Sequence, residues 1–199
     1  MEEILEKEEL SNENIQTNMS KLDTVGYYIW YFFIFSSIGW IYEVLFELSR
    51  GNGFINRGFN YGCYLPIYGF GVLFLYLVLN RIMKKKIEIG KISIMPIVIF
   101  FAIIILASLL EYVASWSLEM IFNQRWWDYT YEKYNLNGRI FLKNSLAFGI
   151  VGMITLYWLE PGLRKIYLIV KNNILNYVAI VIACIITIDM IVSTIGHII

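Results

Sequence analysis

The segment SIMPIVIFFAIIILASLLEYVASWSLEMIF, residues 93–122, decides the fold of this chain. It contains only two charged side chains, Glu111 and Glu119. A helix needs about 20 mostly apolar residues to cross the roughly 30 Å of hydrocarbon in a bilayer. Polar and apolar residues do not alternate along the segment, which favours a helix over a strand. The segment therefore predicts a transmembrane helix.

Four more segments have the same length and apolar character. They are residues 26–48, 64–83, 140–159 and 174–196. The sequence thus predicts an all-α polytopic membrane protein with about five transmembrane helices. We expect a single transmembrane domain, residues 26–199. It follows a polar tail, residues 1–25, that carries seven acidic residues and two lysines.

The composition excludes several classes of protein. Of the 199 residues, 58% are hydrophobic and 16% are charged, and the mean hydropathy is +0.60. A soluble domain of this size has too little interior to bury so much apolar surface. Lysine and arginine together number 16, as do aspartate and glutamate, so no excess of positive charge attracts a nucleic acid. The bilayer is therefore the expected partner, and nucleic acid is not.

The lysines and arginines predict the orientation of the helices. Ten of them fall on the side that includes the N-terminus, and six fall on the other side. Cytoplasmic loops are enriched in these residues, so we expect a multi-pass protein of the cell membrane with a cytoplasmic N-terminus. On the same side, residues 161–171 predict a short amphipathic helix that lies in the membrane interface.

Polar residues inside the apolar segments concentrate at one depth. Counted at 1.5 Å per residue, they fall in the outer half of the bilayer or just beyond it. The inner half is predicted to be almost free of strongly polar groups. The polar groups of the outer half are Glu43, Glu47, Glu111, Glu119, Lys143, Asn144 and Asp189.

Two outer segments, residues 51–62 and 125–139, are rich in glycine, aromatic residues and arginine. A charge at the bilayer centre costs about 2.5–3.5 kcal/mol, so we expect acids and bases at this level to pair. Both segments should fold onto the bundle and form a polar, charge-paired chamber in the outer leaflet. The candidate substrate-binding residues are Glu43, Glu47, Arg57, Glu111, Glu119, Arg125, Asp128, Arg139, Asn144 and Asp189.

Several strings carry a resemblance to a known family. They are GWIYE (39–43), NRGF (56–59), YGCYLPIYG (61–69), EYVASW (111–116), RWWDY (125–129) and NLNGRI (135–140). They resemble the family described as putative ABC-transporter type IV, the CmpB-like permeases, which includes the vertebrate transmembrane-229 proteins. The resemblance covers about residues 28–161. At Cys63 the family often has proline, and at Asn60 it usually has an apolar residue.

The resemblance implies a transporter permease and implies no catalytic residues. The chain has no G-x-x-x-x-G-K-[ST] string, so an ATP-driven permease needs a separate ATPase subunit. Two other functions stay open. One is a scaffold or regulator whose ion pairs are structural, and the other is an intramembrane enzyme that acts on lipid headgroups. We expect no cofactor and no metal ion, and Gly149 and Gly152 permit a homodimer.

Overall fold

The computed structural model describes residues 19–56, 58–85, 87–89 and 92–198. It confirms an all-α polytopic membrane protein with five spans of membrane length. In the apolar part of each span, only 17% to 28% of the residues are buried inside the protein, so most side chains face outward, where lipid lies. The five spans are Lys21–Ser49, Pro66–Met83, Met95–Phe122, Leu142–Val170 and Asn173–Gly196.

The connections between spans alternate between two sides of the bundle. We call the side with residues 50–65 and 123–141 the loop side. The opposite side, with residues 84–94 and 171–172, we call the basic side. A two-stranded hairpin lies on each side: β1 (Glu88–Ile89) pairs with β2 (Ile92–Ser93), and β3 (Asn135–Leu136) pairs with β4 (Ile140–Phe141).

The first helix, α1 (Lys21–Ser49), begins five residues before the predicted start. The Ser20 hydroxyl accepts a hydrogen bond from the Asp23 amide, and the Asp23 carboxylate accepts one from the Ser20 amide. This capping box satisfies amides that the first turn of a helix leaves free. It therefore explains the earlier start. The part of the predicted tail formed by residues 1–18 lies outside the described residues.

The second and third helices match their predicted segments closely. The helices α2 (Pro66–Met83) and α3 (Met95–Phe122) both have a proline in their first turn, at Pro66 and Pro96. Proline is favoured there because the N–H groups of the first turn have no acceptor within the helix. A residue without an N–H therefore loses no hydrogen bond at this position. The third helix ends at Asn123, which adopts a left-handed φ of 52°, a common way to end a helix.

The fourth span corrects one prediction. It consists of α4 (Leu142–Ile154), a π-helical turn (Thr155–Leu159) and α5 (Glu160–Val170) in unbroken succession. The predicted end at residue 159, with a separate interfacial helix after it, is therefore wrong. Pro161 lacks an N–H and crowds the carbonyl four residues before it. That carbonyl belongs to Tyr157, inside the π turn, where the wider geometry accommodates the crowding.

The last helix is α6 (Asn173–Ile198). Helix α1 packs against both α2 and α6, and α3 packs against α4. The buried apolar core lies towards the basic side and joins aromatic residues of α1 to aliphatic residues of α2 and α3. Its most buried members are Tyr31, Leu79, Ile99 and Ile103.

Glycines permit the closest helix contacts. A Cβ on Gly149 or Gly152 would come within 2.8 Å of Phe100, Ile104 or Ile103 of α3. These two glycines are therefore used within one chain, where α3 and α4 meet. The homodimer stays a prediction, but these glycines no longer support it.

Candidate functional site

On the loop side, Glu119 joins two arginines. Its Oε1 atom lies 3.1 Å from Arg125 Nε, and its Oε2 atom accepts a hydrogen bond from Arg139 Nη2. Arg139 is buried, with 8% of its surface exposed, and it also donates to Ser115 Oγ at 3.1 Å. The prediction that acids and arginines pair at this depth holds for these three residues.

The β3–β4 hairpin places Arg139 in this network. Asn137 and Gly138 both have positive φ, 54° and 66°, as a tight hairpin turn of Asn-Gly type requires. Trp127 Nε1 donates to the Arg139 carbonyl at 3.1 Å, and Asn137 Nδ2 donates to Tyr112 OH at 2.8 Å. The contact with Tyr112 holds the hairpin on α3, and the contact with Trp127 ties the hairpin to the loop that precedes it.

Asp128 stands at the exposed edge of the same network. Its Oδ1 atom accepts hydrogen bonds from the Thr130 hydroxyl and amide, and it lies 3.7 Å from Arg125 Nη1. The hydrogen bonds from Thr130, followed by the charge of Arg125, lower the pKa of Asp128. Asp128 is therefore a charged loop residue that orders residues 125–130.

Glu111 occupies a different environment on the same helix, two turns closer to the membrane centre than Glu119. Its Oε1 atom accepts hydrogen bonds from Asn144 Nδ2 at 2.9 Å and from Tyr129 OH at 3.3 Å. Only 8% of its surface is exposed, and its Oε2 atom is buried without a hydrogen-bond partner. Residues from α3, α4 and the loop therefore converge on one incompletely satisfied carboxyl group.

Glu43 of α1 is bonded to a tyrosine of α2. Its Oε1 atom accepts a hydrogen bond from Tyr68 OH at 2.7 Å. Burial raises the pKa of Tyr129, and the charges of Glu111 and Glu43 raise it further. Carboxyl groups of α1 and α3 therefore both act electrostatically on this loop tyrosine.

Asp189 makes a separate contact with the first loop of the loop side. Its carboxylate accepts hydrogen bonds from the Tyr61 amide at 3.2 Å, the Gly62 amide at 3.0 Å and the Tyr64 hydroxyl. Ser193 Oγ adds a fourth at 3.1 Å. This arrangement fixes residues 61–64 to α6. No hydrogen bond or ion pair of the described residues joins Asp189 to Glu111 or Glu119.

The remaining candidates also bind locally or lie outside the described residues. Glu47 is buried, and its Oε2 atom accepts a hydrogen bond from Asn52 Nδ2 at 2.6 Å. Arg57 lies outside the described residues. Among the nine described candidates, hydrogen bonds and ion pairs form local groups around Glu119, Glu111, Asp189 and Glu47, and a single chamber stays a prediction.

The basic side contains buried polar groups that the sequence did not reveal. Glu160, 6% exposed, accepts hydrogen bonds from Tyr27 OH at 2.9 Å and from Arg164 Nε at 2.9 Å. The Arg164 guanidinium lies over the rings of Tyr27 and Tyr76, at 5.5 and 5.4 Å. The prediction of an almost featureless inner half is therefore wrong. The prediction fails because the predicted fourth helix ends at residue 159, which leaves Glu160 in the loop after it.

A second polar group ties α1 to α6 on the basic side. The fully buried Asn176 donates through Nδ2 to Asp23 Oδ1 at 2.8 Å and accepts from Tyr167 OH. Tyr167 also contacts the Asp23 carbonyl at 2.8 Å. Lys171 Nζ lies 3.5 Å from Asp23 Oδ2. The sequence does contain one indication of this group. Asn176 is a polar amide near the start of the apolar segment 174–196.

Two cavities lie away from the charged groups of the loop side. One, of about 150 Å³, lies between α1, α5 and the start of α6, and the other, of about 360 Å³, lies between α1, α2 and α6. Apolar and aromatic side chains line both. Among the described residues, no group of three or more His, Cys, Asp or Glu side chains could hold a metal ion.

Comparison with known proteins identifies the family. The family model described as Putative ABC-transporter type IV matches residues 30–194. Because the match covers most of the chain, the protein belongs to this family, as its sequence motifs indicate. The match also extends past residue 161 into α6. No curated protein and no solved structure matches the chain.

Proposed function

We propose that this member of the ABC-transporter type IV family is the membrane-spanning subunit of a transporter and binds its solute on the loop side, at Glu111. The whole segment from residue 26 to residue 199 then acts as one membrane domain. The family name supports the transporter class, and the five spans suit a permease subunit.

The environment of Glu111 is the observation that carries the proposal. The Glu111 Oε2 atom is buried without a partner, and no ion pair among the described residues includes Glu111. A buried carboxylate without a positive partner is costly. A site of this kind favours the uptake of a proton or a cation. Intramembrane carboxyl groups commonly serve such a role in transporters.

The arginines support a cationic rather than an anionic solute. Arg139 and Arg125 both bind Glu119, and Arg125 also lies 3.7 Å from Asp128, so two carboxylates already compensate the two arginines. Glu111, in contrast, belongs to no ion pair among the described residues, and the charges of Glu111 and Glu43 both act on Tyr129. We therefore assign solute contact to Glu111, Glu43, Tyr129 and Asn144, and structural roles to Glu47, Glu119, Arg125, Asp128, Arg139 and Asp189.

Coupling to energy would come from a separate subunit. The family name supports an ATPase partner, and the chain itself has no phosphate-binding loop. Such a partner would dock on the basic side, on residues 84–94 and on the end of α5. This arrangement places the protein in the cell membrane with its N-terminus in the cytoplasm, as the division of lysine and arginine also predicts.

A scaffold or regulator is the second candidate function. The Glu119 and Asp189 groups favour a scaffold, since both carboxylates bind loop residues and fix these loops to helices. Buried ion pairs that specify geometry are a known alternative to functional ones. In that case Glu111 would be one more structural group.

Paired variants separate the two functions. Glu111→Gln removes the carboxylate and preserves its size, while Glu119→Gln breaks the arginine pairs. We expect Glu111→Gln to accumulate in the membrane like the wild type and to lose uptake, measured by profiling solutes taken up by cells that lack or express the protein. Glu119→Gln should instead reduce the amount of protein in the membrane.

Two results would contradict the transporter proposal. One is an uptake profile for Glu111→Gln that equals the wild-type profile. The other is a loss of Glu111→Gln protein from the membrane as large as the loss of Glu119→Gln protein, which would support the structural function.

A further inference from the structure

The fourth span changes its packing partners halfway across the membrane. Its first half, α4, is bonded to α3. Ser108 Oγ donates to Ser145 Oγ at 2.7 Å, and Asn144 donates to Glu111 at 2.9 Å. A Cβ at Gly149 would lie 2.7 Å from Phe100. The first half is therefore closely packed against α3.

The second half, α5, is bonded to α1 instead. Tyr27 OH donates to Glu160 at 2.9 Å, and Tyr167 OH lies 2.8 Å from the Asp23 carbonyl. The two halves of one span are thus attached to two different neighbours. Any relative movement of α1 and α3 would act on the segment between the halves.

That segment is where the regular α-helical pattern of the span is interrupted. It is the π turn Thr155–Leu159, followed by Pro161 and Gly162. A π turn interrupts the i→i−4 hydrogen bonds of an α-helix, and proline removes a backbone hydrogen bond. A Cβ on Gly162 would meet nothing within 4 Å. Sharp bends in helices occur at such features.

Free space lies next to α5. The cavity of about 150 Å³ separates Leu163, Ile166 and Val170 from Trp30 and Ile34 of α1. This pocket opens to the surface between α1 and α5, and its lining residues Ile166 and Val170 are exposed. This face of α5 can therefore tilt without the loss of many protein contacts.

We propose that the π turn Thr155–Leu159 is a hinge on which α5 tilts at the basic side, while α4 stays fixed to α3. The contact of Tyr27 with the Glu160–Arg164 pair is the latch that holds α5 against α1. Opening the latch would widen the basic side of the bundle and leave the Glu111 group in place. This inference does not depend on which solute binds at Glu111.

Distances between spin labels test the hinge. The two exposed cysteines are first replaced, Cys63→Ser and Cys184→Ser, and the protein is reconstituted in lipid. One label pair joins α5 to α3 at the exposed residues Ile169 and Ile97. The control pair joins α4 to α3 at the exposed residues Val151 and Leu109.

The latch variant gives the decisive comparison. In Tyr27→Phe, the α5 pair should gain a second distance that the wild type lacks or populates less, and the control pair should keep its wild-type distance. The hinge is overturned if the α5 pair keeps the wild-type distribution in Tyr27→Phe. It is also overturned if the control pair changes together with the α5 pair.

A deletion tests the π turn itself. A π turn holds one residue more than the α-helix between the same flanks, so deletion of the exposed Trp158 should leave both halves in register. Added to Tyr27→Phe, this deletion should remove the second distance.

Deletion of Val151, in the regular helix α4, is the control. It rotates all later residues of the span by about 100° and should abolish membrane accumulation. If the Trp158 deletion leaves the second distance in place, the hinge does not lie in the π turn. If that variant fails to accumulate like the Val151 deletion, the assignment of the extra residue to the π turn is wrong.

Discussion

Two tyrosines one helical turn apart should respond to the same substitution in opposite directions. Tyr27 OH donates to the buried Glu160, whereas Tyr31, 1% exposed, has a buried hydroxyl without a hydrogen-bond partner. Tyr27→Phe removes a hydrogen bond to a charged group, a loss of about 1.5–3 kcal/mol. Tyr31→Phe removes an unsatisfied buried donor, whose presence costs about 1–3 kcal/mol.

The free energies of unfolding of the two variants should therefore differ by about 2.5–6 kcal/mol. At about 2–4 °C per kcal/mol for a chain of this size, the melting temperatures should differ by at least about 5 °C. The assay is thermal unfolding of both purified variants in the same detergent, with the wild type between them. Equal losses of stability in both variants would refute the reasoning, because the Tyr31 hydroxyl would then have to be satisfied.

Three further predictions concern the outer loops and the helix contacts. Gly138→Ala should lower the melting temperature, since Gly138 has a positive φ and a Cβ there would lie 2.7 Å from Asp128 Oδ1; replacement of the exposed Tyr131 by Phe is the control. Asp189→Ala should release residues 61–64 from α6 and accelerate limited proteolysis in that loop, and an unchanged cleavage rate would contradict the assignment. Gly149→Ala should destabilise the α3–α4 contact, whereas Gly71→Ala, which meets open space, should stabilise α2 by about 0.5–1 kcal/mol; thermal unfolding measures both, and equal signs would be evidence against the packing described.

The five spans could be predicted because their signal is local. Length and apolar character are properties of each segment, so α2, α3 and α6 begin and end within about two residues of the predicted bounds. The earlier start of α1 depends on one side-chain cap at Ser20. The continuation of the fourth span through Pro161 depends on a π turn, for which the sequence carries no recognisable pattern.

The sequence identifies polar candidate residues, but it does not show which of them contact one another. Helical spacing indicates which face of a helix is polar, but not which neighbour that face meets. Arg139 reaches Glu119 only because the hairpin at Asn137 and Gly138 directs it there. Asp189 has the same depth as Glu111 but meets the first outer loop. Glu160 escaped notice because the Pro161–Gly162 pair after it is typical of a loop.

The charge state of Glu111 tests the central claim most directly. Infrared difference spectra report the carboxyl band of a buried glutamic acid. They are recorded on the protein reconstituted in lipid, while the pH and the cation in the buffer are varied. We predict a band that responds to these changes, disappears in Glu111→Gln and persists in Glu119→Gln. A spectrum that is the same in the wild type and in Glu111→Gln would contradict the claim that Glu111 takes up a proton or a cation.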